Sequence, residues 1–360
     1  MRLEHVGIEV SDLYAMELFY RTALGFSLEY RYVSQNSPGL RSVFLRSGGF
    51  ALELLERPRD PGFLSARARA RPNHVALSVE DVDAVHRRLL ALGLPGALLR
   101  PPRDTGDGFR EAELVDPEGN LLELSQRVRP PPRYPVRAVI FDWDGTLIDS
   151  EPNYYLADAK LLARYGLPFT EEDKRRYIGG SNIDEMTDFK RRFALEESPQ
   201  ELAALKNRLY LEIAESSTRL FPEMKRFLDG VRARGLKVAV ASGSAPAVLG
   251  RLLAAVGLTG AFGAVVSADE VLLGKPAPDV VLEAARRLGV APEECVVVED
   301  ARYGVEAALR AFMRCIAVPY LSDPPLDPAF GVADLLFAGG MSTFEADRAL
   351  AFVESALPPA

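Results

Sequence analysis

Two aspartates two residues apart, Asp142 and Asp144, stand in the stretch FDWDGT from Phe141 to Thr146. In an extended segment residues two apart point the same way, and two carboxylates held so close repel each other unless they share a cation or a proton. A second acid pair, Glu299 and Asp300, ends CVVVED, from Cys295 to Asp300. Between the pairs come Ser242 in KVAVASGS (Lys237 to Ser244) and Lys275 in GKPAPD (Gly274 to Asp279). A different set, His5, Glu53, His74 and Glu123, lies near the N-terminus. If these four converge, their imidazole nitrogens and carboxylate oxygens can hold one divalent metal; if not, they are polar residues on a solvated sheet face.

The first set sits at strand ends or in the loops after them. Val136 to Phe141 (VRAVIF), Lys237 to Ala241 and the CVVV run read as buried parallel strands, and ligands of open α/β sheets bind at carboxyl ends of strands. Gly145 lets the chain turn sharply after the first acid pair. From about Glu151 to Phe221 the pattern is helical, with helices expected near Tyr154 to Tyr165, Asn182 to Phe193 and Pro199 to Glu215. A helix at Met224 to Arg234 then leads into the serine strand. Helix and strand alternate from there to the end, as in a doubly wound parallel sheet.

The second set is positioned by a repeat. LEHVGIEV (Leu3 to Val10) matches PNHVALSV (Pro72 to Val79), and FALEL (Phe50 to Leu54) matches NLLEL (Asn120 to Leu124). Each opening strand is followed by an acidic cap region and an amphipathic helix, near Leu13 to Leu24 and Val82 to Leu92, with Gly25 and Gly93 as stops. His5 and His74 are 69 residues apart, and Glu53 and Glu123 are 70 apart, which makes the two stretches copies of one βαβββ module. Alternation turns Val6, Ile8, Val10, Val75, Leu77 and Val79 toward the helices, with Leu52, Leu54, Leu122 and Leu124. His5, Glu53, His74 and Glu123 then share the opposite, concave face. The third histidine, His86, is expected on the surface of the second helix.

From Val136 to Ala360 the ordered motifs resemble the four motifs of the haloacid dehalogenase superfamily of phosphotransferases. The resemblance implies a Rossmann-like α/β core with an inserted helical cap of the C1 type at about 151–221. LIDSEP, leading into the cap, is similar to the β-phosphoglucomutase-like branch. Carried over by position, Asp142 is the nucleophile that forms an aspartyl-phosphate, and Asp144 is the acid and then the base. Ser242 and Lys275 hold the phosphoryl oxygens. Asp142, the Asp144 carbonyl, Glu299 and Asp300 bind Mg²⁺. Dehalogenases of the superfamily lack the second aspartate and phosphonatases replace it, so Asp144 argues against both. Mutases of the branch usually carry a histidine at the cap entrance, where Tyr154 stands. A phosphatase for a small phosphorylated metabolite is therefore expected ahead of a β-phosphoglucomutase-type phosphomutase. Substrate choice is expected near Tyr154, Tyr155 and Tyr177 to Asn182, and Asp149 is expected to cap a helix or act as a hinge. Two departures, Ala301 where serine is common and Phe312 where glycine often closes the next helix, remove no reacting group.

Met1 to about Arg127 resembles the vicinal oxygen chelate superfamily, which includes glyoxalase I, methylmalonyl-CoA epimerase, extradiol dioxygenases and bleomycin-resistance proteins. The final hairpin, VDPEGNLLEL, is typical of that α+β fold. By position His5, Glu53, His74 and Glu123 match glyoxalase-type ligands for Zn²⁺, Ni²⁺, Co²⁺ or Mn²⁺. Without Glu53 the other three match the dioxygenase iron triad, so Glu53 favours isomerase or lyase chemistry, with a thiol or CoA substrate as its partner. The other reading is a non-catalytic ligand-binding or dimerisation module. The two modules would pair within one chain or exchange across a homodimer.

The linker VRPPPRYP, from Val128 to Pro135, is proline-rich and extended, and separates domains at 1–127 and 136–360. A net charge of −8 without a basic stripe argues against nucleic acid. No apolar run is long enough to span a membrane and the N-terminus lacks a secretory pattern, so a cytoplasmic protein is expected. The two cysteines, Cys295 and Cys315, fit reduced buried thiols there.

Overall fold

A computed structural model of the chain describes residues 2–57, 72–91, 98–115, 120–131, 133–178 and 181–355. The helix stop at Gly93, the turn of the VDPEGNLLEL hairpin, Pro132 of the linker and Gly179–Gly180 of the cap lie outside the described residues. The chain divides into two compact units, Met1–Arg133 and Tyr134–Ala360.

The first unit follows the duplicated pattern. Its first module is β1 (Arg2–Glu9), α1 (Leu13–Leu24), β2 (Ser27–Val33), β3 (Arg41–Ser47) and β4 (Phe50–Glu56). Its second is β5 (Pro72–Ser78), α2 (Val82–Ala91), β6 (Leu98–Asp104), β7 (Phe109–Val115) and β8 (Leu121–Arg127). All eight strands form one sheet, in the order β2-β3-β4-β1-β5-β8-β7-β6. Within each module the first strand pairs parallel with the last, and β1 pairs antiparallel with β5, so the modules join inside this one chain. Both helices start on an aspartate: Asp12 Oδ1 accepts from Ala15 N and Asp81 Oδ1 from Ala84 N, each at 2.9 Å. Helix α1 stops at Gly25, whose φ of 70° is left-handed. Val82, Val85 and Leu89 of α2 pack on Leu77, Val79, Ala112, Leu114 and Leu124, the strand face expected to meet the helices.

The second unit is a parallel sheet with helices. Its strands are β9 (Ala138–Phe141), β10 (Lys237–Ser242), β11 (Ala264–Ser267), β12 (Cys295–Glu299), β13 (Arg314–Ala317) and β14 (Leu335–Leu336). The order β11-β10-β9-β12-β13-β14 is 3-2-1-4-5-6 counted from β9, and every pairing is parallel. The order reverses between β9 and β12, so the crevice of this doubly wound sheet opens beyond the carboxyl ends of those two strands. Between β9 and β10 are α3 (Glu151–Ala163), α4 (Glu171–Lys174), α5 (Asn182–Phe193), α6 (Pro199–Ser217) and α7 (Pro222–Ala233), the first four forming the cap. The remaining helices are α8 (Pro246–Ala255), α9 (Asp279–Leu288), α10 (Arg302–Arg310) and α11 (Ala346–Glu354). The segments entering and leaving the cap pair with each other, through an Ile148–Leu220 bridge and a 3.1 Å bond from Asp149 N to Arg219 O.

Several element ends differ from expectation for local reasons. Helix α3 begins at Glu151 rather than Tyr154, because Ser150 occupies the cap position and Pro152 is tolerated in a first turn. The unexpected α4 is one turn held by a capping box between Thr170 and Asp173. Asp149 does not cap a helix; its Oδ1 accepts from Tyr320 Oη at 3.2 Å. Phe312 takes the left-handed conformation, φ 63°, that glycine would hold more easily. Its ring is buried, which offsets a conformational cost of about 1 kcal/mol. Among the described residues no helix is long and apolar enough to cross a membrane.

Because each unit closes its own core, residues 136–360 expressed without the first 127 should fold cooperatively, as should 1–127 alone. Circular dichroism and thermal unfolding check this; an unfolded 136–360 fragment would place the boundary elsewhere.

Candidate functional site

In the second unit, β9 delivers Asp142 and β12 delivers Glu299 and Asp300 to the crevice where the strand order reverses. One ligand oxygen of each lies within 4.8 Å of the others. Lys275 reaches in from the loop before α9: its Nζ donates to Asp142 Oδ1 at 2.5 Å and to Glu299 Oε2 at 2.8 Å. Thr146 Oγ1 donates to Asp300 Oδ1 at 3.0 Å. Two glycines make the crowding possible. A Cβ on Gly145 would come 2.4 Å from Asp300 Oδ2, and one on Gly304 would come 1.9 Å from Glu299 Cδ.

Burial, followed by the charge of Asp142, pushes Glu299 up to about 8 even with Lys275 beside it. Burial together with Asp142 and Glu299 pushes Asp300 up as well. Burial alone would lower Lys275, but Asp142 and Glu299 hold its ammonium group well above the usual range. Three carboxylates against one ammonium leave negative charge uncompensated, and the donors are all oxygens. That set fits a hard divalent cation of the Mg²⁺ type.

The Asp144 carboxylate stands outside this group. Its Oδ2 accepts from Ser244 Oγ at 2.6 Å, and its Oδ1 is 3.5 Å from Tyr210 Oη. Burial pushes Asp144 up to about 6, against the hydrogen bond from Ser244. Ser242, at the end of β10, is buried, and its Oγ accepts from Ser244 N at 2.9 Å. Ser244 and Tyr210 were absent from the sequence-derived set. Ser244 stands two residues beyond Ser242 in KVAVASGS, the one local signal available, whereas Tyr210 comes from α6, 66 residues after Asp144.

In the first unit the sheet register brings the repeated residues together. Cross-strand partners form one row, Tyr30–Phe44–Glu53–Gly7–His74, and its counterpart, Arg100–Glu113–Glu123–Ala76–His5. Each imidazole thus faces a small residue across the β1/β5 pair. A Cβ on Gly7 would lie 2.3 Å from His74 Cε1. The two Nε2 atoms are 2.8 Å apart, and Glu53 Oε2 lies 3.5 Å from His5 Nε2 and 3.4 Å from His74 Nε2. His5, His74 and Glu123 offer donor atoms within 4.8 Å of one another. Glu123 Oε1, Ser125 Oγ and Arg103 Nη1 are buried without a hydrogen-bond partner. Burial would raise Glu53, but the hydrogen bond and charge of His5 and the charge of His74 hold it low. Burial, then Glu111 and Glu53, push Glu123 up. Facing imidazoles with a buried, unpartnered carboxylate oxygen fit a borderline transition metal. The copies are not identical: Tyr30 and Phe44 stack at 4.3 Å where the second module has Arg100 paired with Glu113 at 3.2 Å. His86 is half-buried on α2, outside this group.

The close approach at Gly304 yields a test. Gly304→Ala must displace Glu299, and divalent-cation affinity should fall by about tenfold to a hundredfold, the range for losing support around a metal ligand. Isothermal titration with Mg²⁺ measures it, and unchanged affinity would separate Glu299 from cation binding.

Residues 136–311 match the family model for haloacid dehalogenase-like hydrolases, and residues 2–124 match that of the Glyoxalase/Bleomycin resistance protein/Dioxygenase superfamily. Hexitol phosphatase B of Escherichia coli K12 is 33% identical over 202 residues, which cover 56% of this chain and 90% of that protein. Fructose-1-phosphate phosphatase YqaB of the same strain is 35% identical over 185 residues, covering 51% of this chain and 96% of the relative. A β-phosphoglucomutase from Clostridium difficile shares the fold, with a TM-score of 0.52 and 22% identity over 61% of this chain and 98% of its own. The chain therefore belongs to the haloacid dehalogenase-like hydrolases through its second unit, and carries ahead of it a domain of the glyoxalase and dioxygenase superfamily.

Proposed function

We propose that the second unit is a Mg²⁺-dependent phosphatase of small phosphorylated metabolites, working through an aspartyl-phosphate. The observation that carries this reading is the division of the carboxylates. Asp142 lies with Glu299, Asp300 and Lys275, whereas Asp144 is held apart on Ser244. Relatives named as phosphatases of hexitols and of fructose 1-phosphate support it.

Asp142 attacks phosphorus and the bond to the leaving oxygen breaks. Asp144, whose carboxyl is pushed up to about 6 by burial, carries the proton to that oxygen. It then takes a proton from the water that hydrolyses the aspartyl-phosphate. Lys275 and Ser242 hold the phosphoryl oxygens, with the lysine offsetting charge that builds in the transition state. Asp142, Glu299, Asp300 and the Asp144 carbonyl would hold Mg²⁺, which supplies charge neutralisation for transfer when bound. Tyr154, rather than a histidine, stands at the cap entrance, which keeps phosphatase ahead of phosphomutase.

Asp142→Asn should abolish hydrolysis of an aryl phosphate and leave thermal unfolding nearly unchanged, because an amide is a poor nucleophile. EDTA should stop the wild-type reaction and added Mg²⁺ restore it. Turnover of the variant above a few per cent of wild type would sink the covalent mechanism.

A second reading concerns the first unit. His5, Glu53, His74 and Glu123 form a site for one Zn²⁺, Ni²⁺, Co²⁺ or Mn²⁺, and the observation favouring it is the unpartnered Glu123 Oε1 beside the two facing imidazoles. Such an ion polarises a substrate carbonyl when bound. Glu53 and Glu123 are the groups placed to move the adjacent proton, as glyoxalase-like isomerisation or epimerisation needs. Plasma mass spectrometry of the untagged full chain should find about one transition metal per chain, and His5→Ala with His74→Ala should remove it. A wild type that stays metal-free after incubation with each ion would leave this domain as a binding or dimerisation module.

A further inference from the structure

The cap interior holds four buried charges. Lys174 Nζ lies 2.9 Å from Asp158 and 3.0 Å from Glu185, and Lys206 Nζ lies 2.8 Å and 2.5 Å from the same two carboxylates. They come from α3, α4, α5 and α6, so this quartet ties together all the helices of the cap. Both lysines are neutralised by these carboxylates, which makes them unsuited to binding an additional anion. Their ammonium groups instead stand 5.5 and 5.4 Å from the ring centre of Tyr154. The Tyr154 ring also stacks on Tyr210, with centroids 4.0 Å apart and planes within 10°. Its position is thereby set by the packing of the cap.

The hydroxyl end of Tyr154 leaves the cap. Its Oη is 3.0 Å from Ser244 Oγ, a core residue, and Ser244 Oγ is 2.6 Å from Asp144 Oδ2. A serine hydroxyl has one proton, and the shorter bond to a carboxylate takes it. Tyr154 must therefore be the donor to Ser244. The chain of donation runs from cap to core and ends on one oxygen of Asp144. The other oxygen, Oδ1, has the 3.5 Å approach of Tyr210 Oη, at the limit of a hydrogen bond, and the Ser150 and Tyr154 hydroxyls also bear on this carboxyl.

We propose that Tyr154 acts through Ser244 as a positioning residue, anchoring Asp144 Oδ2 so that Oδ1 faces the leaving oxygen and carries its proton. The inference rests on the phosphatase reading above and goes beyond it in assigning the proton to one oxygen and its placement to the cap. The cap then does more than cover the substrate. The quartet and the Tyr210 stack fix the Tyr154 ring, and through its hydroxyl the cap holds Ser244 against the proton donor.

The test uses leaving groups. A sugar phosphate expels an alkoxide that must be protonated, whereas p-nitrophenolate is a stable anion that departs without a proton. In the full chain with Mg²⁺, Tyr154→Phe keeps the ring stack and loses the hydroxyl, and Ser244→Ala breaks the relay at its middle. Each should lower kcat for hexitol phosphate by about tenfold or more, and lower kcat for p-nitrophenyl phosphate several times less. The double variant should be no worse than Ser244→Ala, because the two residues act in series. Equal losses on both substrates, or additive losses in the double variant, overturn the relay. Thermal unfolding of each variant is measured alongside; if Ser244→Ala is unfolded, Tyr154→Phe decides between the outcomes alone. A wild type active on both substrates with unaffected variants removes the relay and keeps the phosphatase. A wild type inactive on both removes the phosphatase reading and the relay together.

Discussion

Three carboxylates packed at the ends of two adjacent parallel strands are the constraint around which the second unit is built. Asp142, Glu299 and Asp300 are buried, and burial together with the charge of Asp142 raises the proton affinity of Glu299 and Asp300. Lys275, bridging Asp142 and Glu299, offsets part of this charge, and the three acids offer the remainder to a hard cation. The backbone gives way to this group as well. Gly145 and Gly304 lack side chains where a Cβ would strike Asp300 and Glu299. The sheet order reverses between β9 and β12, and the crevice this opens is where these side chains gather.

The cap shows a different use of buried charge. Breaking a buried ion pair leaves an uncompensated charge at a cost of about 3–5 kcal/mol. The Lys174, Lys206, Asp158 and Glu185 quartet therefore resists partial unpacking of the helices that carry it. The segments around Asp149 and Arg219 that join the cap to the core are paired with each other, and among the groups the cap presents to the core is Tyr154.

In the first unit the same chemistry is drawn from symmetry. Two imidazoles meet across β1 and β5 because each lies opposite a residue with little or no side chain, His74 against Gly7 and His5 against Ala76. The symmetry ends at the walls of the site. Stacked aromatics on one side and an arginine–glutamate pair on the other give the concave face an apolar and a charged half.

Much of this was legible in the residues alone, because local rules govern it. Apolar runs ending in DWD and ED mark parallel strands delivering acids, and a 69–70 residue offset with period-two alternation places His5, Glu53, His74 and Glu123 on one face. Both folds follow from such patterns. What tertiary structure decided is which groups touch. Nothing in FDWDGT states that Asp144 turns away from Asp142 toward Ser244, or that its second neighbour is Tyr210 from α6. No motif or spacing singles out Lys174, Lys206, Asp158 and Glu185, and they form an interior quartet because four helix faces closed on one another. The pairing of the two modules within one chain was likewise open until the β1 and β5 register was known. Periodicity assigns a residue to a face of its own element; contacts between elements far apart in sequence depend on how those faces pack, and that belongs to the folded chain.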